Sequence, residues 1–151
     1  MLNKTNSNKG MNRRDVLVAT GTAVLGASAF PMHWVAAADK KKQKVLYFSR
    51  SAGFEHDAVK SKDGQPSISE RILNELGKKH GFEVVSTKDG RVFDGDLDQY
   101  DAIAFYTSGV LTEPDKQQTP PMTPEGKNKL LNAIAAGKGF VGFHAATDSF
   151  H

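Results

Sequence analysis

Three observations predict an α/β domain on a parallel sheet. Four short apolar runs, at residues 44–49, 82–87, 101–106 and 139–144, carry β-branched and aromatic residues and are too short for helices. Two stretches with apolar residues at helical spacing lie between them. Strand, helix, strand in that order favours parallel pairing with helices on the faces.

Residues 1–38 come first and read as an export signal: a polar start, Arg13 and Arg14, an apolar run over 16–30, and Ala36, Ala37 and Ala38 at the end. Twin arginines directly before a mild, Gly- and Thr-containing apolar run resemble a twin-arginine translocation signal. Cleavage is expected after Ala38, giving a periplasmic or extracellular protein. An uncleaved anchor is the alternative, but Pro31, His33 and Trp34 interrupt the run before it reaches the ~20 residues of a spanning helix.

Residues 39–43 form a charged joint, and the domain then occupies 44–151. Lys-Val-Leu-Tyr-Phe-Ser over 44–49 is the first buried strand, and a loop continues over 50–65. Pro66 suits a first helical turn, and Ile68, Ile72, Leu73 and Leu76 give that helix its buried face. Lys78, Lys79 and His80 suit its carboxyl end, where Gly81 stops it. Residues 82–87 and 101–106 supply the second and third strands. Residues 107–123, with Pro114, Pro120 and Pro121, exceed the roughly 4 to 6 residues of an ordinary connection, so they form a lid or an insertion. Thr123, Pro124 and Glu125 announce a second helix with Leu130, Leu131 and Ile134 on its buried side, ended by Gly137. Residues 139–144 are the fourth strand. Residues 145–151 are too few for the helix that should cover this strand, so the sheet reads as truncated after its fourth strand, the first half of a larger domain. A small domain that closes as a homodimer is the alternative.

Charge excludes a class of partner. The chain holds 20 Lys and Arg against 17 Asp and Glu, a formal +3. Four of those cations (Lys4, Lys9, Arg13, Arg14) and one anion (Asp15) lie in the leader, leaving 16 of each sign beyond it. No nucleic-acid footprint survives that split. There is no Cys, which excludes disulfides, thiolate metal sites and a cysteine nucleophile.

In an open parallel sheet the ligand sits beyond the carboxyl ends of the strands. Strand one runs into Ser49, Arg50, Ser51, Ala52, Gly53, Phe54, Glu55, His56 and Asp57, strand three into Thr107, Ser108 and Gly109, and strand four into His144 and then Asp148. His56, His144 and Asp148 are the candidate catalytic residues. They suit either an acid and base pair or three ligands of a divalent metal such as zinc, with one coordination position left open. Ser49, Gly53, Phe54, Thr107 and Ser108 are the candidate substrate contacts, Phe54 by stacking. Asp57 equally suits a turn cap. Asp94, Asp96 and Asp98 mimic the start of a calcium loop, but Gln99 and Phe105 stand where Gly and Glu are needed, and a solvated turn is expected. Ser49 to Gly53 resembles the hydroxyl-rich phosphate loop of flavodoxins, though a tight turn needing Gly53 explains it as well.

Three segments carry a wider resemblance: 44–57, the run of 97–106, and Gly-Lys-Gly-Phe-Val-Gly-Phe-His-Ala-Ala-Thr-Asp-Ser-Phe over 137–150. Together they are similar to the amino-terminal half of the ThuA-like family, named for trehalose utilisation, in the class I glutamine amidotransferase-like superfamily. The resemblance implies a flavodoxin-like three-layer sandwich. It also places His144 where amidotransferases carry a Cys in a Gly-x-Cys turn. An imidazole cannot support the thioester chemistry of glutamine hydrolysis, so that activity is rejected. The implied role is in carbohydrate metabolism, acting on a trehalose-like disaccharide or its 3-keto derivative. The alternatives are a non-catalytic sugar-binding module, a flavodoxin-like cofactor carrier, or a gene fragment without function of its own.

Overall fold

The computed structural model describes residues 41–151. The export signal expected over 1–38, with its twin arginines and cleavage point, lies outside them. Among the described residues no helix is long and apolar enough to cross a membrane.

Four parallel strands form one sheet: β1 (Gln43–Phe48), β2 (Phe82–Thr87), β3 (Ala102–Phe105) and β4 (Gly139–Gly142), in the order β2-β1-β3-β4. Val45 at the centre faces Val84 on one side and Ala102 on the other. The chain leaves β1 toward β2 and returns to β1's other flank as β3. That reversal opens a crevice beyond the carboxyl ends of β1 and β3, where ligands of such sheets bind.

Successive residues of a strand face opposite ways, and the helices divide accordingly. Tyr47 points toward α1 (Ile68–His80), its hydroxyl donating to Ser69 Oγ at 2.8 Å, and Ser69 passes the chain of bonds to the Ala58 carbonyl at 2.7 Å. Phe48 points the other way, into the main core with Phe93, Phe105, Leu111, Met122 and Leu130 of α2 (Pro124–Ala135). Helix, sheet and helix make the three-layer sandwich that was expected.

Local chemistry sets the helix ends. Ser67 caps α1 in a reciprocal box: its hydroxyl accepts from Glu70 N at 3.3 Å, and its own N–H donates to the Glu70 carboxylate at 2.6 Å. Pro66 therefore precedes the cap instead of opening the first turn. Thr123 caps α2 by accepting from Gly126 N at 2.9 Å, with Pro124 as its first residue.

Two expectations, both of helix burial, are corrected, and the two readings of the long connection are separated. The apolar face of α1 is not buried: Ile68, Ile72 and Leu76 are 40–51% exposed, because the helix packs against β2 and the Asp57–Val59 turn and leaves the rest of that face open. Leu131 of α2 is likewise exposed, while Leu130 takes the core position. β4 is exposed along its length, as an edge strand. The long connection 107–123 is no lid. Leu111 and Met122 from it are buried in the core, and Met122 N donates to the Leu111 carbonyl at 2.9 Å, so it is a packed insertion.

Candidate functional site

Three strand ends converge on a pair of imidazoles. His56 lies on the loop after β1, where a short 3-10 turn, Asp57–Val59, begins; Asp57 pairs with Lys60 at 2.9 Å and so serves the turn. On the same loop Glu55 forms an ion pair with Lys88 at 2.8 Å, tying the loop to the end of β2. His144 opens a second 3-10 turn, His144–Asp148, directly after β4. The two rings meet edge to face with centroids 4.4 Å apart.

His144 has φ +48°, the left-handed region that a residue with a side chain adopts at a cost. Such strain concentrates at functional sites. A sharp strand-to-turn junction lifts the side chain clear of the sheet edge, as nucleophile elbows do.

Aromatic rings wall the pair. Phe54, 71% exposed, stands 4.9 Å from His56. Tyr106 follows β3 and sits 6.1 Å from His56 and 5.9 Å from His144, with Phe143 6.4 Å beyond. Tyr106 and Phe143 continue into a nearly apolar groove of about 310 Å³ that runs along Tyr47, Ile72 and Leu76 of the uncovered α1 face.

The frame beneath is made of buried hydroxyls and close backbone. Thr107 Oγ1 shares a 2.6 Å hydrogen bond with Ser149 Oγ, and Ser108 Oγ donates to the Phe54 carbonyl at 2.7 Å. Gly109 N donates to the Asp148 carbonyl at 3.0 Å, and Phe150 N returns to the Gly109 carbonyl at 2.9 Å. Gly109 has φ +73°, and a Cβ there would lie 2.4 Å from Gly53 N, so the two segments approach this closely because residue 109 is glycine.

A model of the ThuA family, described as trehalose utilisation, matches residues 44–151. The chain belongs to the ThuA family. The four-stranded parallel sheet agrees with the flavodoxin-like core and the amidotransferase-like superfamily expected for it. No curated protein and no solved structure matches the chain.

The geometry of this ThuA domain sorts the residues expected at the site. His56, His144 and Phe54 come together at its surface, and Gly53 is part of its frame. Ser49, Thr107 and Ser108 are buried, at most 2% exposed, so they do not face a substrate. The latter two are spent on internal hydrogen bonds. Asp148 is exposed and contributes its backbone carbonyl to Gly109. Among the described residues no three His, Cys, Asp or Glu side chains are gathered to hold a metal ion, so His56, His144 and Asp148 do not form the expected ligand set. The donors present are two imidazoles, which fit proton transfer better than a three-ligand centre. The phosphate-loop reading also fails, since Ala52 N and Gly53 N both donate to the Ser108 carbonyl, at 2.9 and 3.1 Å, and are not free for a phosphate. The Asp96 segment is the solvated turn expected, with Asp96 Oδ1 accepting from Asp98 N at 2.8 Å.

Sequence reasoning missed Tyr106, Phe143 and Arg50. The two aromatics read as the tails of buried strands; the usable signal was a ring at the carboxyl end of each of two neighbouring strands. Arg50 was named only within the run that follows strand one.

Proposed function

We propose that this protein is an exported member of the ThuA family that processes a trehalose-like disaccharide or its 3-keto derivative, with His56 and His144 as its acid and base. The carrying observation is the pair of imidazoles from different strand ends, 4.4 Å apart and walled by Phe54, Tyr106 and Phe143. A neutral imidazole accepts a proton from a carbon or hydroxyl beside the keto group, and the partner imidazolium donates one to the carbonyl oxygen. The pair thus moves charge without changing its total. The aromatic walls offer flat apolar surface to a sugar ring, with the two imidazoles as the polar groups packed against them. Export rests on the leader, and amino-terminal sequencing of the secreted protein is expected to begin at Asp39.

Calorimetry with trehalose and its 3-keto derivative, coupled to product analysis, tests the reading. His56→Ala and His144→Ala are each expected to lower turnover at least about a hundredfold, and Phe54→Ala to weaken binding about tenfold. Unchanged turnover in both histidine variants would remove the assignment. The 71% exposure of Phe54 favours one second reading, a sugar-binding module that presents the ligand to a partner enzyme. Binding that depends on Phe54, with no turnover of either sugar, would favour it.

A further inference from the structure

Arg50 is fully buried at the end of β1, an unusual place for a guanidinium. Its Nη1 donates to the Leu111 carbonyl at 2.9 Å, its Nη2 to the Glu113 carbonyl at 2.6 Å and more weakly to the Thr119 carbonyl at 3.4 Å. Its Nε forms an ion pair with the buried Asp115 carboxylate at 3.3 Å. Asp115 in turn accepts from Thr119 N at 2.9 Å and from the Thr119 hydroxyl. One side chain thereby gathers both arms of the proline-bearing connection 107–123.

That connection begins with the residues that join the two histidine carriers. Ser108 holds the β1 loop through its carbonyl, bonded by Ala52 N and Gly53 N, and through its hydroxyl on the Phe54 carbonyl. Gly109 holds the turn after β4 through Asp148 and Phe150. We propose that Arg50 is the positioning residue of the site: by fixing 111–119 against the end of β1 it sets the Ser108 and Gly109 junction, and through it the approach of His56 to His144. The fork geometry matters, because two carbonyls and a carboxylate in different directions match a planar guanidinium and not a lysine ammonium. This deepens the acid and base reading, since a pair must be held near contact to exchange protons with one substrate.

The test uses the full chain with isotope-labelled histidine and reads the nuclear Overhauser contact between the His56 and His144 rings, together with amide hydrogen exchange over 109–119. Arg50→Lys is expected to lose most of the ring-to-ring contact and to speed exchange over that segment at least about tenfold. Leu130→Ala, which removes a core side chain of α2 and touches none of the Arg50 hydrogen bonds, serves as the control: its melting temperature falls, and the ring contact stays. Should Arg50→Lys fail to fold, Asp115→Asn is read in the same way. An intact ring contact in the Arg50 or Asp115 variant, or its equal loss in Leu130→Ala, would overturn the proposal. Because no sugar is involved, this outcome is independent of whether the histidine pair turns over a sugar.

Discussion

His144 shows how much one residue's backbone can say. Its positive φ costs about 1 to 2 kcal/mol for a residue with a Cβ, and glycine would relieve that while adding about 0.5 to 1 kcal/mol of chain entropy to the unfolded state. His144→Gly is therefore expected to be at least as stable as the parent in thermal denaturation, with its site chemistry gone. His144→Ala keeps the strain and gains nothing. A clear loss of stability in the glycine variant would show that the histidine ring, not the site, accounts for the conformation. Gly109 makes the opposite case. Alanine there meets both a left-handed backbone and the Gly53 nitrogen, so Gly109→Ala is expected to cost about 2 kcal/mol or more in urea denaturation. At this scale the sequence was informative where a residue type is rare in its setting. Two histidines at strand ends were the candidates it offered, whereas Ser108 and Thr107, polar and correctly placed, were consumed by the frame, and Ser49 Oγ is buried without a hydrogen-bond partner. Polarity does not reveal whether a hydroxyl faces water or a neighbouring carbonyl.

Between α1 and β1 the energetics turn on Tyr47. Burial pushes its phenol up to about 12 from the ordinary 10.0, and the hydrogen bond to Ser69 only partly offsets this. A group whose pKa is raised on folding contributes its full stability below the unfolded value and loses it as pH rises through the folded one. Stability is thus expected to fall between pH 10 and about 12, and Tyr47→Phe to flatten that alkaline limb. Denaturant titrations across the range, with phenolate absorbance as the second probe, check both. The strands and helices themselves were legible to within a residue or two, because caps and periodicity are local. Thr123 with Pro124 marked the start of α2 correctly. Pro66 misled by two positions, since Ser67 and Glu70 close a box that outranks the proline's preference for the first turn and start the helix at Ile68.

The described residues form one well-packed face of the sheet and one open one. Phe48, Phe93, Phe105 and Leu130 fill the α2 side, while α1, the apolar groove and the β4 edge leave Ile68, Ile72, Val141 and Phe143 exposed. An unpaired edge beside an apolar face favours association. Val141→Lys is expected to reduce concentration-dependent self-association in sedimentation experiments without lowering the melting temperature. Unaltered association would place the contact elsewhere. The amino-acid sequence by itself determined the α/β class and the ThuA family, because each is written in local pattern or in motif, and it put forward His56 and His144 at the sheet edge as candidates. Only the tertiary structure decided that Asp148 stands apart from the histidine pair, that three expected contacts are buried, that Tyr106 and Phe143 complete the walls, and that Arg50 grips the long connection. Those facts depend on which groups meet when separate segments of the chain come together, and the free energy of burying or pairing a polar group is fixed by the neighbour it finds.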